Sequence, residues 1–329
     1  MNEHDNSEMR VHEQTEASFL RAVGFTHTTD EMSIRRLLET VANSPDFAHE
    51  TARDDSGMYQ FEWYRHCADD CGLVLYGVAR DAEKEPGMYV DDWSIFAKND
   101  TETQVADFFV EFGDDGKLYG YCEECETGNE LEFRLVNQHD YDLYYQETNS
   151  NEPPCITGIN VVALASNGTI ILPVEKTEES MAEREQEDST RREMLARIRS
   201  GDEQALRELD EMSDQMNAAI EERLFEEDYL TVFESYLMPV DTRPCIYGLL
   251  GEILSMDEVQ NCYTGETILK LSVDVTGVPV RVLINKKDVF GCPTVGMRIL
   301  AKVFMQGTAS FKGAKPPKSR KTPGSGGLI

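Results

Sequence analysis

The chain has no long apolar run. In 329 residues the longest stretch is about "VVALA", far short of the 18 or more apolar residues that a membrane-spanning helix needs. The opening "MNEHDNSEMRVHEQTE" has no apolar core of a secretory signal. There is no G-x-S-x-G and no H-E-x-x-H, so neither a nucleophile elbow nor a zincin helix is expected. P-loop and G-x-G-x-x-G patterns are missing too, which removes the usual nucleotide cradles. Histidine is scarce, six in all, and none lies beyond His139. Of these, His66 beside Trp63 and Tyr64 is the most plausible catalytic candidate. These absences lean away from an enzyme and point to a cytoplasmic protein with no membrane partner.

Positive charge is also short. Against 62 Asp and Glu stand 31 Lys and Arg, for a net charge of −31. The imbalance is local. Residues 243–329 hold 12 basic and 6 acidic side chains, a net of +6, which leaves −37 for residues 1–242. Such a body repels polyanions, and any anionic partner should meet the C-terminal end.

The apolar content, at 40 %, is enough for real cores, and its periodicity divides the chain. Residues 1–17 read as a disordered tail. An α+β domain is expected over 18–175. In "DEMSIRRLLETVANS", Ile34, Leu37, Leu38 and Val41 recur at helical spacing behind Asp30 as N-cap. A largely antiparallel sheet follows, from "MYQFEWYRH", "CGLVLYGVA", "GMYVDDWSIFA", "ADFFVEF", "KLYGYCE" and "ELEFRLVN". "CITGINVVALA" and "TIILPV" read as a hairpin about the Asn-Gly of "SNG". Residues 176–228 read as a charged helical segment, with Gly201 ending one helix, Asp202 starting the next and Ser213 a third.

Residues 229–311 read as a small antiparallel barrel. In "ETILKLSVDV" and "VPVRVLIN" apolar residues alternate with the period of a half-buried strand. The expectation is OB-like, with "INKKDVFG" as the β3–β4 linker. No fifth strand is evident, and an SH3-like barrel competes. Residues 312–329, "KGAKPPKSRKTPGSGGLI", read as a basic disordered tail.

Several segments, taken in order, resemble one family of uncharacterised bacterial proteins of about this length, mostly from Gram-positive anaerobes. They are "FLRAVGF" (19–25), "IRRLLE" (34–39), "GLVLYG" (72–77), "NGTIILPVEKTE" (167–178), "GDEQALREL" (201–209), "YTGETI" (263–268), "INKKDVFG" (284–291) and "VFMQGT" (303–308). The resemblance covers roughly residues 19–311. It implies a shared architecture and a bacterial cytosolic setting. It implies no activity and no catalytic residues.

Three sets of side chains are candidates for chemistry. Cys67 and Cys71 of "HCADDC", with Cys122 and Cys125 of "YCEECETGNE", could together hold one zinc ion, which takes four thiolate or imidazole ligands. Two features oppose this. The acidic neighbours raise thiol pKa values, and residues i and i+3 of an unbroken strand point to opposite faces. Cys122 and Cys125 converge only if the turn begins at or before Glu123. A redox pair of the thioredoxin kind would need a helix N-terminus or basic neighbours, which this stretch lacks.

The second set is Lys270, Arg281, Arg298, Lys302 and Phe304, on the outward parity of the barrel strands. An OB-like barrel could bind single-stranded nucleic acid there, but with Phe304 as its one aromatic, stacking is nearly missing and the acidic body opposes the approach. Ile268 and Leu283 on that face suggest instead that it packs against another domain or partner. The third set comprises the acidic pairs Asp91-Asp92 and Asp114-Asp115. They could do acid–base work, but in a chain with 62 carboxylates they match the background of charged turns. The leading expectation is a non-catalytic binding or adaptor protein with protein partners. The alternatives are a single-stranded nucleic-acid binder and a zinc-dependent protein.

Overall fold

The computed structural model describes residues 15–80, 87–148, 155–174 and 177–311. The expected basic tail 312–329 lies outside the described residues, as does the expected tail 1–17 except for 15–17, which open a 3-10 helix over Thr15–Val23.

The fold is α+β. Helix α1 (Glu31–Asn43) starts where expected, with Asp30 as N-cap and Ser33 answering it in a capping box. Its buried stripe of Ile34, Leu38 and Val41 lies against β2 (Met58–Ala68) and β3 (Cys71–Arg80). With β1 (Phe47–Glu50) and β4 (Gly87–Ala97) these form sheet A, antiparallel throughout in the order β1-β2-β3-β4.

Sheet B has ten strands and is mixed. Its edge is a meander of β5 (Val105–Phe112), β6 (Leu118–Glu124) and β7 (Glu130–Leu135). After helix α2 (Gln138–Thr148) comes β8 (Ile156–Ile171), sixteen residues long. The expected hairpin at Ser166–Gly168 does not form; the strand runs straight through. Its pairing with β14 (Arg298–Phe311) shifts register beside Asn167, so the Asn-Gly marks an irregularity within one strand. Gly168 serves close approach, because a Cβ there would meet the side chains of Ile284 and Ile299 at 2.8 and 3.0 Å.

The charged segment forms two helices, α3 (Glu178–Arg199) and α4 (Glu203–Leu224). Gly201, at φ 93°, and the N-cap Asp202 divide them as expected. Ser213 starts nothing, for α4 continues through it. A single turn, α5 (Tyr229–Val232), and a short strand, β9 (Tyr236–Pro239), lead to β10 (Ile246–Gln260), β11 (Thr267–Val275), β12 (Val278–Asn285) and β13 (Val289–Phe290).

Five strands of sheet B, namely β8, β10, β11, β12 and β14, each pair with two others of the five. β8 runs parallel to β12, with Arg281 opposite Val162, and antiparallel to β14. The sheet thus takes strands from both the 18–175 and the 229–311 segments. The expected alternation of burial holds along β11 apart from Ile268, whereas β12 is buried at every position but Pro279, with Arg281 and Leu283 of its second face buried as well. The 3-10 helix at Thr15–Val23 lies against β8 and β12 on that side. Among the described residues no helix is long and apolar enough to cross a membrane.

Candidate functional site

Among the described residues a cleft of about 1070 Å³ opens between the two sheets. One wall is sheet A: Gln60–Glu62 of β2, Tyr76–Val78 of β3, and Asp91 and Asp92 of β4. Opposite lie the β5–β6 turn from Gly113 to Lys117, Tyr119, the start of α2 with Gln138, His139 and Asp142, and Arg243 with Pro244 before β10. Both acidic pairs noted in the sequence, Asp91-Asp92 and Asp114-Asp115, therefore face one space.

The floor is a buried charge network. Arg134 of β7 is completely buried. Its Nη2 donates to Asp92 Oδ2 at 2.7 Å, its Nε to Glu16 Oε1 at 3.3 Å, and its Nη1 to the Leu118 carbonyl at 3.0 Å. Lys117 Nζ reaches the other oxygen of Glu16 at 2.9 Å. The Ser94 hydroxyl donates to Glu16 Oε1 at 3.3 Å and accepts from Gln306 Nε2 at 3.0 Å. One polar cluster so ties the 3-10 helix, β4, β7 and β14 together. Burial, then the neighbouring charge of Glu16, raises the pKa of Asp92 against the pull of Arg134 and Lys117.

A second polar centre sits in the sheet A wall. Glu62 is buried, and its carboxylate accepts the backbone N–H of His139 at 2.5 Å and the Tyr64 hydroxyl at 2.9 Å. His49 Nδ1, across the β1–β2 pair, lies 3.5 Å from the same carboxylate. Burial, then the repulsion of Glu62, raises the pKa of Asp142, with His139 opposing. Burial alone raises that of Asp91.

The cleft thus presents six carboxylates (Glu62, Asp91, Asp92, Asp114, Asp115 and Asp142) against two strong bases. Both bases are already paired, Lys117 with Glu16 and Arg243 with Asp241 at 2.6 Å. The site therefore favours positive charge, and Phe61, Tyr76, Val78 and Tyr119 give it apolar strips between the acids. Glu62 and Arg134 were missed in the sequence, although each is an ionisable residue inside an apolar strand, "YQFEWY" and "LEFRLV". That is the signal by which they could have been found.

The other candidates fall elsewhere. Cys67 and Cys71 lie on β2 and β3 in sheet A, while Cys122 and Cys125 lie on β6 and its turn in sheet B. β6 continues to Glu124, so the turn does not begin early; Cys122 is buried and Cys125 half-buried. Burial pushes the Cys122 thiol up to about 12, and the Cys125 thiol is raised by burial too. No group of three or more His, Cys, Asp or Glu disposed to hold a metal occurs among the described residues. The "YCEECETGNE" turn instead organises structure. Glu124 accepts the N–H groups of Glu126 and Thr127 at 3.0 and 2.6 Å, and Arg199 of α3 binds Glu123 and the Cys125 carbonyl at 2.7 Å each. This anchors the helical pair.

The basic set is likewise occupied. Lys270 pairs with Asp70 at 3.1 Å and Lys302 with Asp241 at 3.3 Å. Arg281 is buried and pairs with Asp100. Arg298 donates to the carbonyls of Leu172, Leu230 and Phe233, each at 2.9 Å. Phe304, expected on an open face, is buried against Phe19 with ring centroids 5.5 Å apart. The 3-10 helix that covers it carried no periodic signal.

The fold and cleft define a mixed α+β protein with an acidic groove between two sheets. The chain belongs to the family described as "Domain of unknown function, E. rectale Gene description (DUF3881)", matched over residues 20–307. No curated protein and no solved structure matches it.

Proposed function

We propose that this is a cytosolic, non-catalytic binding protein that takes a lysine- or arginine-rich segment of a partner protein into the acidic cleft. The observation that carries the reading is the convergence of six carboxylates on one hollow of about 1070 Å³. That volume is in the range that accepts extended side chains, and well beyond what a lone ion requires. The strips of Phe61, Tyr76 and Tyr119 suit the aliphatic stems of lysine and arginine, whose charged heads then meet the acids. The net charge of −37 over residues 1–242 adds steering toward a basic partner.

We also read the five strands β8, β10, β11, β12 and β14 as an OB-like barrel whose fifth strand, β8, precedes the other four in the chain. The neighbour order and the parallel β8–β12 pair support this. The single-stranded nucleic-acid alternative draws less support from the geometry, since Lys270, Arg281, Arg298, Lys302 and Phe304 all have intramolecular partners.

Titration calorimetry with a lysine-rich peptide at low salt tests the cleft. Asp91→Asn, Asp114→Asn and Asp142→Asn combined should weaken binding by about tenfold or more, as loss of facing charges does at other interfaces. Equal affinity of the triple variant, or equal binding of a glutamate-rich peptide, would overturn the reading.

A further inference from the structure

The "HCADDC" stretch plays no part in the cleft, yet it brings two thiols together. β2 and β3 join through a tight turn with Asp70 at φ 63°. A register shift between His66 and Ala68 lets Cys67 and Cys71 meet, with their sulfurs 4.0 Å apart. A disulfide needs about 2.05 Å, so closure asks for a sulfur movement of roughly 2 Å. Both residues are only 1 % exposed, so no reagent reaches them directly.

A third cysteine supplies the access. Cys262, between β10 and β11, is exposed. Its N–H donates to the Cys67 carbonyl at 2.7 Å. The bond makes the two residues neighbours, and the Cys262 sulfur lies 4.0 Å from the carbonyl of His66, the residue before Cys67. Cys262 and Cys67 also line one hollow of about 810 Å³, together with His66, Asp70 and Gln260.

We propose that Cys262, Cys67 and Cys71 form a thiol relay, in which Cys262 accepts a low-molecular-weight disulfide and the oxidation ends as a Cys67–Cys71 disulfide. The Cys262 thiolate attacks the disulfide RSSR, forming a mixed disulfide and releasing one RS⁻. Cys67 sulfur attacks the Cys262 sulfur, its proton leaving with the second RS⁻ and a Cys67–Cys262 bond forming. Cys71 sulfur then attacks Cys67 and returns Cys262 as a thiol. The sum is two protein thiols oxidised and one RSSR reduced to two RSH. The contact with Cys71, then burial, holds the Cys67 thiol far above its ordinary range, which makes the second step the slow one.

The test is a time course of the reduced full chain with oxidised glutathione, quenched by alkylation, digested and mapped by mass. A Cys67–Cys71 disulfide should accumulate, and Cys262→Ser should slow it by about tenfold or more, because buried thiols exchange only through an accessible one. Cys71→Ala should stop at Cys67–Cys262, and Cys67→Ala should leave glutathione on Cys262. If those buried substitutions unfold the chain, the wild-type and Cys262→Ser time courses decide alone. Glutathione persisting on Cys262 with Cys67 and Cys71 still free in the wild type would overturn the relay, as would wild-type rates in Cys262→Ser.

Discussion

The five paired strands and the charge network under the acidic cleft meet at β14, yet they are built from opposite materials. Besides the buried Arg281 and Arg298, the strands bury Leu249, Leu269, Leu271, Val273, Val280, Val282, Ile284, Ile299 and Val303 completely. Each such side chain contributes about 1.5–3 kcal/mol. The cleft floor buries Arg134, Glu16, Lys117 and most of Asp92. Desolvation consumes most of what such ion pairs gain, and apolar residues of the same volume are often as stable. The difference teaches that the strand set explains stability, while the cleft's charges need another reason to be there. The proposed recognition of a basic segment would supply one.

The largest effect should come from breaking the floor. Arg134→Met leaves the buried Glu16 and Asp92 with Lys117 as the cation they share and should cost about 3 kcal/mol in urea unfolding. Adding Glu16→Gln to it should recover much of the loss. An unchanged unfolding midpoint in Arg134→Met would mean that the network is not the constraint described. Second in size, Leu271→Ala opens a cavity among the five strands and should cost about 3 kcal/mol. It should leave affinity for a lysine-rich peptide unchanged, because the residue lies away from the cleft lining. A parallel loss of affinity would show that the two regions are one cooperative unit.

Local signals made part of this architecture legible. The Asp30 cap, the stripe of Ile34, Leu38 and Val41, the Gly201–Asp202 break and the alternation on β11 all depend on neighbours within a turn or a strand. What failed depends on distant partners. The hairpin rule is local and splits β8 at its Asn-Gly, whereas Ile284 and Ile299, more than a hundred residues on, require the bare Cα of Gly168. Nothing local shows that Val162 will face Arg281 in a parallel pair. Parity alone puts Phe304 on an open face, and parity cannot see the Phe19 ring that covers it. The cleft was half visible. Asp91-Asp92 and Asp114-Asp115 stood out as pairs, but their meaning lies in sharing one hollow with Glu62 and Asp142.

The smallest effect separates the two regions by sign. Burial, then Glu62, raises the pKa of Asp142, so its folded form holds a proton more tightly than its unfolded form. The stability associated with that proton is complete below about pH 3.8 and is lost as pH rises through the folded value. At neutral pH the charged Asp142 is therefore a burden on the fold, unlike any of the buried aliphatics. Asp142→Asn keeps the shape and removes the charge. It should raise the thermal midpoint slightly at pH 7, with a gain that fades as the solution is acidified toward pH 4. The same change should weaken binding of a lysine-rich peptide. A variant that is less stable at pH 7, or that binds as well as the parent, would return Asp142 to the background of charged surface residues.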